Sequence, residues 1–290
     1  MPLDITAQFQ PKFENAWRRL SQQGDSRFAE AVDFKAGCSG EVVYRDQIRP
    51  IDMTDITARL QATAISDIET EIRANFPTKF GAAKHFDEFD AVQLKEQSKP
   101  TSATFLEMNS GKKRKWDDLV IAAALGTAKT GANGGTDVVL PAGQKIAHGS
   151  ANMTLAKLLD TKAKFEAAEV YGQDAMDGDQ AYIALGSSQL RALYDEAKVT
   201  SSDYANVKAL VQGQVDTFMG FKFITMGDLS EGGLPLATGV RTNYAFHKSA
   251  IGLAESLGPK TEINYVPQKT SWLVNCMYSA GSVGIDNAGI

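Results

Sequence analysis

The sequence is poor in the residues that form disulfides and bind metals. Its 290 residues include two cysteines, Cys38 and Cys276, and three histidines. Two cysteines near opposite ends of a chain are no disulfide framework, so we expect both to be reduced inside a cell. The histidines, His85, His148 and His247, lie far apart, and none has a second ligand at metal-binding spacing. The sequence therefore predicts no metal and no cofactor.

Long hydrophobic runs and an excess of basic residues are also missing. No apolar run approaches the roughly 18 residues that cross a bilayer, and the N-terminus lacks the basic-then-apolar order of a signal peptide. Acidic residues outnumber basic ones by 35 to 30, which gives a net charge of −5. A dedicated nucleic-acid binder usually carries a basic excess. We therefore expect a globular protein that has no membrane partner and is not a dedicated nucleic-acid binder.

The stretch ALGTAKTGANGG, residues 124–135, has the glycine spacing of a phosphate-binding loop. In such a loop a lysine and a hydroxyl residue follow the second glycine. Here Ala132 and Asn133 follow Gly131, and Lys129 precedes it. The preceding run KWDDLVIAAALGTA predicts a helix and the following TDVVLP predicts a strand, whereas a phosphate loop runs from strand to helix. We interpret the glycines as an ordinary helix-to-strand connection.

Helices and strands are intermixed without a regular βαβ rhythm, which favours an α+β fold. The clearest helical pattern covers residues 154–171, with Thr154 as N-cap and Gly172 at the C-cap position. AYIAL predicts a strand, and the C-terminal third is rich in strands. Residues 36–72 combine short β-branched runs with charges of both signs, which predicts a two-stranded excursion exposed on both faces. An isolated hairpin is marginal in water, so we expect it to rest on a neighbouring subunit.

Three sets of polar residues are candidates for function. Charged residues of the excursion are predicted to contact another subunit. They are Arg45, Asp46, Arg49, Asp52, Asp55 and Arg59. A basic run is a candidate surface facing DNA, with a solvated helix as the alternative. It consists of Lys112, Lys113, Arg114 and Lys115.

The third set would form an unrecognised hydrolytic site. It consists of Asp87, Asp90 and His247. No nucleophile, base and orienting group stand in a recognisable arrangement in the sequence. We therefore expect a protein that is not an enzyme, with the hydrolase as a less favoured reading.

Four stretches, in order along the chain, have counterparts in one protein family. They are YRDQIRPID with the segment after it, WDDLVIAAALGTAKTGANGGTDVVLPAGQKIAHG, QVDTFMGFKFITMGDL with FHKSAIGLAES, and TSWLVNCMYSAGSVGIDNAGI. They resemble the extended loop, the stretch before the spine helix, the axial-domain strands and the closing peripheral-domain strands of a tailed-phage major capsid protein with the Hong Kong 97-type fold. The resemblance covers about residues 40–290.

The resemblance implies a domain order and a set of partners. The implied domains are an N-terminal arm at 1–38, an extended loop at 39–75, a peripheral domain at 76–176 and 256–290 with a spine helix at about 154–171, and an axial domain at 177–255. Hexamers and pentamers of the chain would form an icosahedral shell around double-stranded DNA, assembled in the host cytoplasm. The implied partners are further copies of the chain, a scaffolding protein, a portal protein, a decoration protein and the packaged DNA. The alternative within the same class is a tube or ring subunit of the virion.

Overall fold

The computed structural model describes nine ranges of the chain. They are residues 20–59, 61–62, 65, 67–87, 101–131, 133–170, 180–196, 217–227 and 233–290. The α-helices in these ranges are α1 Thr101–Leu125, α2 Leu155–Ala167 and α3 Ser187–Asp195. The strands are β1 Asp33–Lys35, β2 Val43–Ile48, β3 Thr70–Asn75, β4 Thr78–Asp87, β5 Thr127–Thr130, β6 Thr136–Val139, β7 Ala181–Gly186, β8 Thr217–Phe218, β9 Phe221–Met226, β10 Leu236–Ala237, β11 Val240–Arg241, β12 Tyr244–His247, β13 Ile251–Val266 and β14 Ser271–Gly284. The mixture confirms the α+β class.

The strands form three four-stranded sheets and one small ribbon. The central sheet has the order β1-β13-β14-β4, and its long β13 and β14 pair antiparallel from Ile251↔Gly284 to Val266↔Ser271. A second sheet has the order β2-β3-β5-β6, and a third has the order β12-β7-β9-β8. The run AYIAL lies in β7, at the centre of the third sheet, as the sequence predicts.

The two-stranded excursion is present. Strands β2 and β3 pair antiparallel from Val43↔Asn75 to Ile48↔Thr70, and every described residue between them is exposed. The root of this hairpin differs from the expectation because Val43 and Asn75 are buried. The hairpin is thus attached to the body at its root and exposed to solvent at its outer end.

The longest helix in the described ranges is α1, with 25 residues. Its C-terminal half buries Val120, Ile121 and Ala124 in the largest core cluster, beside Ile251 and Leu253 of β13. This helix therefore ties the central sheet to the core of the molecule.

Helix α2 starts where the sequence predicts and ends earlier. Thr154 Oγ1 accepts a hydrogen bond from Lys157 N at 3.4 Å, so Thr154 is the N-cap. The helix ends at Ala167 because Glu169 adopts φ 57° and Val170 N bonds back to the Phe165 carbonyl. The predicted cap Gly172 lies outside the described residues.

The buried face of α2 packs on the third sheet. Leu158 and Phe165 lie in a core cluster with residues of β7, β9 and β12. They are Ala181, Ile183, Leu185, Phe221 and Ala245. This packing groups α2 with the strands predicted for an axial domain and away from the central sheet.

The described part of the expected N-terminal arm packs on the body, and one expected boundary falls inside a strand. Phe28 and Val32 of the arm are buried in the largest core cluster. The Phe28 ring lies 5.9 Å from the ring of Tyr244. The expected boundary between residues 255 and 256 falls inside β13, at a register shift between Glu255 and Leu257.

The glycine-rich connection after α1 is the tight hairpin β5–β6. Gly131 and Gly134 adopt φ 89° and 62°, and Gly134 N donates to the Gly131 carbonyl at 3.0 Å. Lys129 forms an ion pair with Asp137 on the opposite strand. The glycines therefore serve a turn, and the lysine serves a cross-strand pair.

The turn provides a matched pair of glycine substitutions. Gly134→Ala is expected to lower the free energy of unfolding by about 1–2 kcal/mol, because φ 62° is strained for alanine and the new Cβ would lie 2.5 Å from Phe76 Cζ. Gly135→Ala should be nearly neutral, since nothing lies within 4 Å of a Cβ there. Chemical denaturation of both variants checks this, and equal effects would contradict it.

Candidate subunit-contact site

The outer part of the β2–β3 hairpin carries large apolar side chains that its own subunit does not cover. Six of them are between 63% and 96% exposed. They are Ile48, Ile51, Met53, Ile56, Ile65 and Ile68. Single exposed apolar residues are ordinary, but a concentration of them in one segment marks an interaction surface.

The same segment is acidic. Between Asp46 and Glu71 the sequence has six acidic and two basic side chains, a net charge of −4. Arg49 braces the two strands, because its guanidinium binds Glu69 at 3.1 Å and also Glu71. The hydrogen bond from Arg49 lowers the pKa of Glu71, so this carboxylate stays charged.

The six charged residues predicted as subunit contacts differ in exposure and in ion pairing. Arg45 turns inward: its side chain is 14% exposed and its Nη1 lies 2.7 Å from Asp33 Oδ2. Arg49 is exposed, and its guanidinium binds Glu71 of β3 and Glu69, which directly precedes β3. The other four are exposed and form no ion pair with any residue of the described ranges. They are Asp46, Asp52, Asp55 and Arg59.

A second arginine fastens the hairpin root. Arg73 stands opposite Arg45 in the β2–β3 register and is 5% exposed. Its Nε donates to the Ile285 carbonyl at 3.0 Å, just beyond the end of β14. Together the two arginines attach the root of the hairpin to the body.

The predicted basic patch is not one surface. Four successive residues of a helix point through about 300° of its circumference, so they cannot share a face. Lys112 is buried: its Nζ lies 3.2 Å from Glu255 Oε2 and 4.1 Å from the centre of the Trp116 ring. A lysine held in this way does not face DNA.

The other three basic residues of this run also have partners within the chain. Lys113 lies 2.9 Å from Asp25, and Arg114 Nη1 donates to Gln22 Oε1 at 2.7 Å. Lys115 lies 5.4 Å from the centre of the Phe80 ring. Two of the four therefore hold the N-terminal segment, a role that the sequence does not reveal.

The two described residues of the hydrolase alternative, Asp87 and His247, lie in different sheets. Asp87 lies at the end of β4 opposite Ser271. His247 lies in the third sheet, 2% exposed, with Nδ1 2.8 Å from Ser249 Oγ. Asp90 is outside the described residues. The described residues therefore bring no two members of this set together.

The described ranges contain neither a metal-binding cluster nor a membrane-spanning helix. Within them, no three histidine, cysteine or acidic side chains come together as a metal site would require. None of the helices there has the length and apolar character needed to span a bilayer.

Comparison with known protein families identifies one family. A family model described as phage capsid protein matches residues 5–290, almost the whole chain. Among curated proteins, no sequence matches.

Several solved phage structures are similar in fold. The head structure of Helicobacter pylori bacteriophage KHP40 aligns with a TM-score of 0.69 and 12% identity over 96% of this chain and 89% of that chain. The capsid of cyanophage P-SCSP1u aligns with a TM-score of 0.67 and 14% identity over 98% and 92%. A chain of Mycobacterium phage Che8 aligns with a TM-score of 0.64 and 15% identity over 97% and 95%.

The family match and the fold lead to one conclusion. The matched region includes the exposed hairpin, α1 and all three large sheets. The similar structures cover the same elements at identities that carry the fold alone. The chain belongs to the phage capsid protein family and is a tailed-phage major capsid protein with the Hong Kong 97-type fold, a structural subunit of the virion shell.

Proposed function

We propose that this chain assembles as hexamers and pentamers into an icosahedral shell around double-stranded DNA, with the β2–β3 hairpin of each copy lying on an adjacent copy. The observation that carries this is the bare apolar segment of the hairpin. Covering a side chain such as Ile51, Met53 or Ile65 contributes about 1.5–3 kcal/mol. A neighbouring copy supplies that cover at every contact in the shell.

The charge of the hairpin indicates what it rests on. With a net charge of −4 between Asp46 and Glu71, two hairpins side by side would repel each other. A less acidic surface elsewhere on the neighbour is therefore favoured. The exposed charges Asp46, Asp52, Asp55 and Arg59 are proposed to pair with that surface, each pair contributing at most about 1 kcal/mol.

We assign the spine of the peripheral domain to α1, and not to residues 154–171. At 25 residues α1 is about 37 Å long and packs against both β13 and β14. Helix α2 packs on the third sheet and belongs with the axial domain. The central sheet with α1 then forms the peripheral domain, and the hairpin forms the extended loop.

The remaining partners follow from this role. A scaffolding protein, a portal protein and a decoration protein would act with the shell, which would assemble in the host cytoplasm. Packaged DNA would meet the inner face without sequence preference, and a net charge of −5 suits a surface that does not grip it. The subunit would have no catalytic role. The head and capsids named for the similar structures favour a closed shell over a tube or ring.

Negative-stain electron microscopy with sedimentation velocity tests the proposal. The full-length chain is expressed alone and together with the neighbouring proteins of its phage. We expect rings of five and six or closed polyhedral shells. Open tubes would favour the tube subunit, and a monomer or dimer under every condition would refute assembly.

A further inference from the structure

The N-terminal segment is held on α1 by a set of polar contacts. Residues 22–27 lie along the helix, and we call their contacts with it the arm clasp. Arg114 binds Gln22 at 2.7 Å and Lys113 binds Asp25 at 2.9 Å. These two contacts lie at the rim, where the carboxylate of Asp25 is 79% exposed.

Asp117 lies at the centre of the arm clasp and is fully buried. Its carboxylate accepts hydrogen bonds from Ser26 Oγ at 2.6 Å, from Arg27 N at 3.1 Å and from Gln23 Nε2. All three donors belong to the N-terminal segment. Opening the clasp would therefore expose Asp117 to water and remove these bonds together.

The charge of Asp117 is not compensated by a cation among the described residues. The charged or titratable groups of the clasp and of β12 are Asp25, Arg27, Lys113, Arg114 and Tyr244, and Asp118 follows Asp117 on α1. The guanidinium of Arg27 points to Met226 Sδ at 3.8 Å, and Lys113 and Arg114 of α1 are engaged at the rim. Burial accordingly raises the pKa of Asp117.

Tyr244 completes the arrangement from β12. Its buried hydroxyl has no hydrogen-bond partner in the described structure. Burial and the charge of Asp117 raise the pKa of this phenol, so it stays protonated. A neutral Asp117 would gain an O–H donor, and the Tyr244 oxygen is an acceptor without a bond.

We propose that closing the arm clasp takes up a proton on Asp117, so that mild acid tightens the N-terminal segment on α1. A buried carboxylate without a cation costs free energy, and protonation removes that cost while one oxygen still accepts from the segment. The closed clasp thus binds the proton more tightly than the open one does. Closing becomes more favourable as pH falls from the raised pKa of Asp117 to its ordinary value of 3.8, and is constant below it.

Hydrogen–deuterium exchange of residues 26–29 tests the proposal on the full-length chain. Labelling is run from about pH 4 to about pH 8, corrected for intrinsic exchange, with the assembly state checked at each pH. Protection in the wild type should rise on acidification by up to about tenfold per pH unit within the window. Asp117→Asn, a neutral isostere, should hold the acidic level of protection at every pH.

Asp25→Asn is the matched control because it removes the exposed rim pair and leaves Asp117 in place. It should lower protection by a similar factor across the range and keep the pH dependence. A flat wild-type profile would overturn the proposal even if Asp117→Asn failed to fold. So would a loss of protection in a folded Asp117→Asn variant.

Discussion

Serine at Ile51, Met53 and Ile65 is expected to abolish shell assembly while leaving the subunit folded. These side chains are 67%, 96% and 96% exposed, so their own subunit loses little when they are shortened. In the proposed shell a neighbouring copy buries them. At about 1.5–3 kcal/mol each, their loss weakens each contact by about 4–9 kcal/mol, or at least a thousandfold in the association constant.

A conservative triple variant separates the effect of lost apolar burial from any disturbance that three substitutions cause in the hairpin itself. Ile51→Val, Met53→Leu and Ile65→Val keep an apolar surface, so shells should form at a somewhat higher protein concentration. Sedimentation velocity and electron microscopy measure assembly, and circular dichroism with thermal unfolding confirms the fold. If the serine variant formed normal shells, the hairpin could not be the main contact between copies.

The elements that the sequence predicts well are those with a local cause. Thr154 caps α2 because its hydroxyl reaches the backbone three residues later, an interaction contained in one turn. The alternation and mixed charge of residues 36–72 likewise indicate a hairpin from neighbouring residues alone. The end of α2 was missed because Glu169 takes the left-handed conformation that usually marks a glycine or asparagine.

The sequence predicts only part of helix α1 because the buried face of the helix is not apolar throughout. The run KWDDLVIAAAL predicts its second half, but Ser110, Lys112 and Asp117 are also buried. Hydrophobic periodicity cannot identify such a face. Lys112 and Asp117 have partners that are distant in sequence, since Glu255 follows Lys112 by 143 positions and Ser26 precedes Asp117 by 91.

The proposed contact segment was predictable as an exposed excursion and not residue by residue. Short β-branched runs between charges of both signs at 36–72 indicate such an excursion, and the structure leaves the described residues between β2 and β3 exposed, but their large apolar side chains were not part of the prediction. The direction of Arg45 depends on Asp33, which β1 brings close through its pairing with β13. Tertiary pairing of this kind decides which charges remain free for a neighbour.

Lys112→Met is expected to lower the free energy of unfolding of the subunit by about 3–5 kcal/mol. The ammonium lies 3.2 Å from Glu255 Oε2, with both side chains close to 10% exposed, although the pair lacks the alignment of a hydrogen bond. Removing the lysine leaves a buried carboxylate at the register shift of β13, with no other cation placed to replace it among the described residues. The lost contact with the Trp116 ring adds to the cost.

Replacing Glu255 instead of Lys112 should cost less stability. The difference between the two losses identifies the stranded carboxylate as the cause. Glu255→Gln leaves Lys112 its position over the Trp116 ring and an amide oxygen as acceptor, so we expect about half the loss. Lys115→Met is the matched control, because its nearest carboxylate, on Asp118, is 3.9 Å away and the lysine is 39% exposed, so the change should stay below about 1 kcal/mol. Denaturant unfolding of dissociated subunits measures the free energy of unfolding of all three variants.

A double variant tests the same pair. Because a buried ion pair that is replaced as a whole by apolar residues is often tolerated, Lys112→Met with Glu255→Leu should recover stability relative to Lys112→Met alone. A double variant no more stable than Lys112→Met would show that packing around Trp116, and not the stranded carboxylate, sets the cost.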